Sequence, residues 1–235
     1  MANKEIPKLF FVHIPKTAGT SLRIQLKKFY TEGQVFPSDK DITKASRPYR
    51  NAKGLVKSVK ENPDIRFIAG HFPYATSLKV DNDFQKIFCL RDPIRRTVSN
   101  ILHLKRKENP KLNPGKLFNK NIKRLDNRQV RFLLSKANLN EALTQADLED
   151  AINNLKKDNT TFGIVEKYED SLQLISHKLG FKFEETVNVN RNPRKDQTLG
   201  PKLLEKIKEA NKWDLLLYAE ATKIFDDKIK ALKSS

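Results

Sequence analysis

Residues Phe10 to Leu22 read FFVHIPKTAGTSL. The apolar run from Leu9 to His13 predicts a strand that enters a tight Pro/Gly loop. The loop carries Lys16 and the hydroxyls of Thr17, Thr20 and Ser21. A helical pattern opens near Thr20 and runs to Tyr30. Strand, small-residue loop and helix N-terminus together make an anion site. Backbone N–H groups converge, the helix dipole favours negative charge, and Lys16 adds a full positive charge. A Walker A loop needs Gly, four residues, then Gly-Lys-Ser/Thr. Here the lysine precedes Gly19. That order points away from a metal-dependent kinase and towards another phosphate-bearing donor.

Working outward, short strands alternate with helices. Ile65–Ala69 predicts a second strand, ending at Gly70-His71. Phe84–Leu90 predicts a third, and Thr161–Val165 a fourth. Helices are predicted over Ala52–Glu61, Asp126–Ser135, Gln145–Lys157, Tyr168–Leu179, Pro201–Ala210 and Lys212–Leu232. Another follows the third strand to about Lys107, with Asp92 as N-cap and Pro93 at its first position. Gly180 closes the Tyr168 helix. Thr31–Arg50, Asn109–Lys120 and Phe181–Arg194 read as loops. This alternation implies an α/β fold: a mostly parallel sheet flanked by helices, with ligands beyond the carboxyl ends of the strands.

The chain has 235 residues, 38% hydrophobic and 31% charged, which suits one domain over 1–235 with its core in 9–225. The net charge of +18 implies an anionic partner, or a basic surface that serves solubility. Cys89 is the one cysteine, so no intramolecular disulfide forms, and its apolar surroundings read as core. The four histidines are scattered without metal-ligand spacing, so no metal site is expected. No run approaches the ~20 apolar residues of a membrane span. The start of the chain lacks an apolar leader, so a cytoplasmic protein is expected.

Strand three leads into CLRDPIRRTVSNILHL (Cys89–Leu104), which places Arg91 at a strand end and Ser99 two helical turns on. IPKTAGTSL together with LRDPIRRTVSN resembles the two-part nucleotide site of sulfotransferases that use 3′-phosphoadenosine 5′-phosphosulfate (PAPS). The resemblance implies a P-loop-type sheet. It also implies a first loop (Lys16, Thr17, Ala18, Gly19, Thr20, Ser21) that holds the 5′-phosphosulfate, with Arg91 and Ser99 on the 3′-phosphate. AGHFPY (Ala69–Tyr74), DNRQVRFL (Asp126–Leu133) and FGIVEKYEDSLQLI (Phe162–Ile175) resemble segments of the branch with uronyl and heparan sulfate 2-O-sulfotransferases. Eukaryotic members carry a Golgi membrane anchor, and none is expected here.

The resemblance gives each residue a role beside a plainer one. Lys16 stabilises charge on the leaving phosphate, or is a solvated loop lysine. His71, at a strand end and titrating near neutrality, is the candidate general base. His13 reads as structural, and His103 and His177 as structural or exposed. Arg95 and Arg96 read as a solvated face. Gln129 and Arg131 are acceptor-site or structural residues. Asn190, Arg191, Arg194 and Lys195 form a basic loop, with Arg194 a candidate donor contact. The implied activity is transfer of a sulfuryl group from PAPS, as co-substrate, to an acceptor hydroxyl, on a carbohydrate or glycolipid. A P-loop kinase and a non-catalytic nucleic-acid binder are the alternatives. The kinase predicts a lysine after the glycine, and the binder leaves the paired loops unexplained. No nucleic-acid partner is expected, and the aromatics do not interleave with basic residues as a stacking surface would.

Overall fold

A computed structural model describes residues 6–38, 51–81, 83–108, 110–137, 140–183 and 199–234. Five strands, β1 (Leu9–Val12), β2 (Val35–Phe36), β3 (Phe67–Gly70), β4 (Gln85–Leu90) and β5 (Thr160–Ile164), form one sheet in the order β2-β3-β1-β4-β5. Every pairing is parallel. β1 lies at the centre, with Val12 opposite Gly70 of β3 and Phe11 opposite Ile87 of β4.

The helices are α1 (Gly19–Lys27), α2 (Ala52–Glu61), α3 (Tyr74–Ser77), α4 (Pro93–Glu108), α5 (Pro114–Lys120) and α6 (Ile122–Leu125). They continue with α7 (Arg128–Leu133), α8 (Gln145–Lys156), α9 (Tyr168–Leu179), α10 (Pro201–Ala210) and α11 (Lys212–Ser234).

All of β1 is buried, and its side chains alternate between two cores, as a strand covered on both faces requires. Phe10 and Val12 join Phe88, Phe162, Leu217 and Phe225 on one side. Leu9 and Phe11 join Leu22, Leu26, Leu172 and Ile175 on the other. A third cluster, around Ile101, Leu117 and Ile207, ties α4, α5 and α10 together. Cys89 lies in the second core, where burial pushes its thiol up to about 12, so it is no nucleophile at neutral pH.

The helix caps follow local chemistry. Asp92 accepts the Arg95 N–H at 2.7 Å at the start of α4. Gly180 ends α9 at φ 72°, a left-handed conformation that glycine adopts without Cβ strain.

Three expectations change. The predicted loop Asn109–Lys120 contains α5, because Asn113 caps the Gly115 and Lys116 N–H groups while Leu117 and Phe118 are buried. The predicted loop Thr31–Arg50 begins with a short 3₁₀ turn and the edge strand β2, too brief to show a period. Arg95 is exposed, but Arg96 is fully buried rather than solvated. Its guanidinium donates to Leu125 O (2.6 Å) and Thr97 Oγ1 (2.9 Å) and sits 4.0 Å from the carboxylate of Asp214, itself buried. That counter-charge lies on α11, far along the chain, which no local pattern reveals.

Candidate active site

Because the sheet is parallel, β1, β3, β4 and β5 end at one edge. These ends deliver the Lys16 loop, His71, Arg91 and Glu166, so the chain brings the two sequence motifs and the candidate base together.

The loop is bent by two non-glycine residues in left-handed conformations, Lys16 at φ 70° and Ala18 at φ 55°. Each such residue costs roughly 1–2 kcal/mol and persists only where its surroundings enforce it. Here Arg91 Nη1 donates to Lys16 O at 3.1 Å, and Thr17 Oγ1 donates to Ile14 O at 3.0 Å. The Ser21 and Leu22 N–H groups both bond Ala18 O. The buried Thr17 hydroxyl therefore shapes the loop, while Thr20 is exposed and Ser21 nearly buried. The N–H groups of Ala18, Gly19 and Thr20 take no backbone acceptor among the described residues. These are the donors that a helix start leaves open.

Gly19 is required by His13. A Cβ built at Gly19 would stand 2.1 Å from His13 Cδ2 and 2.3 Å from Nε2. The His13 ring stacks on Phe11 (centroids 5.4 Å, 13°) and meets His71 at 4.4 Å. Burial, with the charges of His71, Arg23 and Lys16, pushes His13 down to about 3, so it is neutral across the physiological range. His71 is exposed, and its Nδ1 lies 2.7 Å from His13 O. A carbonyl can only accept, so Nδ1 carries the proton and Nε2 keeps its lone pair. Desolvation is the main influence lowering the pKa of His71; Arg128 and Lys16 add to it and the His13 carbonyl opposes it.

Arg91 is held from three sides. Gln129, fully buried, accepts the Arg91 N–H at Oε1 (2.9 Å) and donates from Nε2 to Arg91 O (2.8 Å), closing a clamp on both backbone groups. Glu166 lies 3.9 Å from Arg91 Nε, accepts the Asp92 N–H at 3.2 Å and is itself bonded by Tyr218. The clamp is supported in turn by reciprocal capping. Asp214 accepts the N–H groups of Gln129 (3.0 Å) and Val130 (2.8 Å) at the start of α7. Asn127 accepts those of Trp213 (2.9 Å) and Asp214 (3.1 Å) at the start of α11. Gln129 is thus a structural residue, and so is Arg131, which pairs with Asp126 at 2.7 Å.

Ser99 lies on α4, on the face that also carries His103 and Arg106 at helical spacing. That face runs near the loop. Burial, Arg106 and Arg91 together lower the pKa of Lys16, in that order, and desolvation followed by Lys16 lowers that of His103. Lys16 has no carboxylate partner among the described residues. Arg106, Glu166 and Arg23 are neighbours of the site that the sequence reading did not single out. Arg194, with Asn190, Arg191 and Lys195, lies outside the described residues.

The model of the family described as "Sulfotransferase family" matches residues 2–219. The chain belongs to the sulfotransferase family. It is an enzyme, a transferase of sulfuryl groups. The fold agrees: the crystal structure of a sulfotransferase from Alicyclobacillus acidocaldarius superposes with a TM-score of 0.54 at 16% identity, over 96% of this chain and 95% of that one. No curated protein matches this sulfotransferase. Among the described residues no group of three or more His, Cys, Asp or Glu is placed to hold a metal ion, and no helix is long and apolar enough to cross a membrane.

Proposed function

We propose that this sulfotransferase takes PAPS as donor and an acceptor hydroxyl as nucleophile. The donor supplies an activated sulfuryl group for in-line transfer. The observation that carries the reading is the convergence at one sheet edge of a braced Arg91 with Lys16 and the first N–H groups of α1, which have no carboxylate or backbone partner among the described residues. The donor set suits a ligand with phosphates at two positions. Among the described residues, the buried Arg91 Nε has no hydrogen-bond partner and the charges acting on Lys16 are those of Arg106 and Arg91.

The proposed roles join the family resemblance to this geometry. Lys16 and the N–H groups of Ala18, Gly19 and Thr20 hold the 5′ end and the charge that develops on the leaving phosphate. Arg91 and Ser99 hold the 3′-phosphate, with Gln129 and Glu166 fixing the arginine. His71 accepts the proton of the acceptor hydroxyl at Nε2. The lowered pKa of His71, from desolvation at the site, favours the neutral state that keeps that lone pair available. An acceptor on a carbohydrate or glycolipid rests on the resemblance of AGHFPY and DNRQVRFL.

Calorimetric titration with 3′-phosphoadenosine 5′-phosphate (PAP), without added metal, tests the reading. Sub-millimolar binding that Arg91→Ala weakens at least tenfold is expected. Absent binding, or equal affinity for AMP, overturns it. His71→Ala is expected to retain PAP affinity and to lose transfer by about 10²–10⁴-fold.

A further inference from the structure

Arg23 lies on α1 one turn beyond Gly19, on the same helix face. Helical side chains lean towards the N-terminus, so Arg23 reaches back over the Gly19 turn where the His13 ring sits. Its Nε and Nη2 atoms are buried and have no hydrogen-bond partner among the described residues. No carboxylate pairs with it among the described residues. Nε and Nη2 share one edge of the guanidinium, the edge that grips two oxygens of an oxyanion in parallel. Leaving two charged donors buried and unsatisfied is destabilising, and native proteins rarely do so without a ligand or water to meet them. The cation's other neighbours give no relief. His13 feels its positive charge, as it feels that of Lys16.

We propose that Arg23 is an anion-binding residue of the active site, donating Nε–H and Nη2–H to two oxygens of one tetrahedral or planar oxyanion carried by a substrate. This rests on the sulfuryl-transfer reading for the identity of the ligands. The oxyanion belongs to the 5′-phosphate of the donor, to its sulfuryl group, or to an acidic group of the acceptor. Arg23 stands on the histidine side of the loop, whereas Arg91 braces the loop at Lys16 O, so the two arginines serve different anions.

Three titrations on wild type and Arg23→Gln locate the anion: PAP alone, PAPS alone, and inorganic sulfate added to the PAP-saturated protein. A loss of about tenfold or more with both nucleotides assigns the 5′-phosphate. A loss with PAPS alone assigns the sulfuryl group. A loss with sulfate alone assigns an acceptor anion. Unchanged affinity in all three, in a variant with a wild-type melting temperature, overturns the proposal. Arg23→Lys keeps the charge without the two-donor edge, and is expected to lie between wild type and Arg23→Gln. A purely structural Arg23 instead lowers the melting temperature of both variants and leaves all three affinities unchanged, which also overturns the proposal. If wild type binds neither nucleotide, the donor reading fails by itself. Sulfate titrated into the nucleotide-free protein then decides on Arg23: a tenfold loss in Arg23→Gln upholds anion binding, and equal affinity removes it.

Discussion

Replacing Gly19 with alanine sets two physical effects against each other. Gly19 sits in the first turn of α1 without a positive φ. Helix propensity alone therefore predicts that alanine stabilises the protein, by up to about 1 kcal/mol. The His13 ring opposes this. The new Cβ would lie 2.1 Å from His13 Cδ2, so the ring must retreat by about 1.3 Å to reach the 3.4 Å where ordinary contact begins. It has little room, because Phe11 stacks on it and His71 packs at 4.4 Å. Overpacking of this kind typically destabilises by about 1–3 kcal/mol. At a net 2 kcal/mol the melting temperature falls by roughly 4–8 °C for a chain of this size. Thermal unfolding of Gly19→Ala, His13→Ala and the double variant reads the effect directly. His13→Ala vacates the space the Cβ needs. In that background Gly19→Ala is expected to be neutral or stabilising, giving a coupling between the sites on the order of 1–3 kcal/mol. The single variant is also expected to displace His71 and lower turnover by more than PAP affinity. A melting temperature at or above wild type in Gly19→Ala would refute the claim that His13 dictates this glycine.

Asp214→Ala removes the cap of α7 and strands the buried Arg96 charge, so a loss of about 3–5 kcal/mol is expected in urea unfolding. Asp214→Asn, which keeps the shape, should lose less. Gln129→Ala opens the clamp on Arg91 and is expected to weaken PAP binding several-fold although Gln129 faces no ligand; unchanged affinity would dismiss the clamp. His13, held near 3 in the folded state against 6.5 unfolded, takes up its proton mainly on unfolding. Its contribution is thus complete above pH 6.5 and is lost as pH falls from there towards 3, with a slope of at most about 1.4 kcal/mol per pH unit. Urea midpoints from pH 7 to 4 should fall less steeply in His13→Gln than in wild type; parallel profiles would contradict the assignment.

The parts legible in the sequence are those whose physics is local. The strand-loop-helix at Lys16, the Asp92-Pro93 helix start and the Gly180 stop each depend on a few neighbouring residues, and all fold as read. The parallel order of β1, β3, β4 and β5 followed from their alternation with helices. What stayed hidden depends on distant partners. Arg96 looks like any helix-surface arginine until Asp214 arrives from α11. Glu166 lies in the FGIVEKYEDSLQLI segment with no role assigned to it, yet it meets Asp92 and Arg91 across 74 and 75 residues respectively. Arg23 and Arg106 look like solvated cations of amphipathic helices, and only the packing around His13 and Lys16 sets them apart. α5 was missed because seven residues between Asn113 and Asn121 carry too little period to read.

The reciprocal caps have a consequence for how the enzyme is made. Asp214 lies 85 residues after Gln129, and Gln129 is what fixes the backbone of Arg91. During synthesis the β1 loop and Arg91 therefore leave the ribosome long before the helix that holds them in register. A chain without docked α11 has the Lys16 loop but no cap for the helix that carries Gln129, so Arg91 loses part of its bracing. On the proposed donor reading, a chain in which α11 has not docked is expected to bind nucleotide weakly.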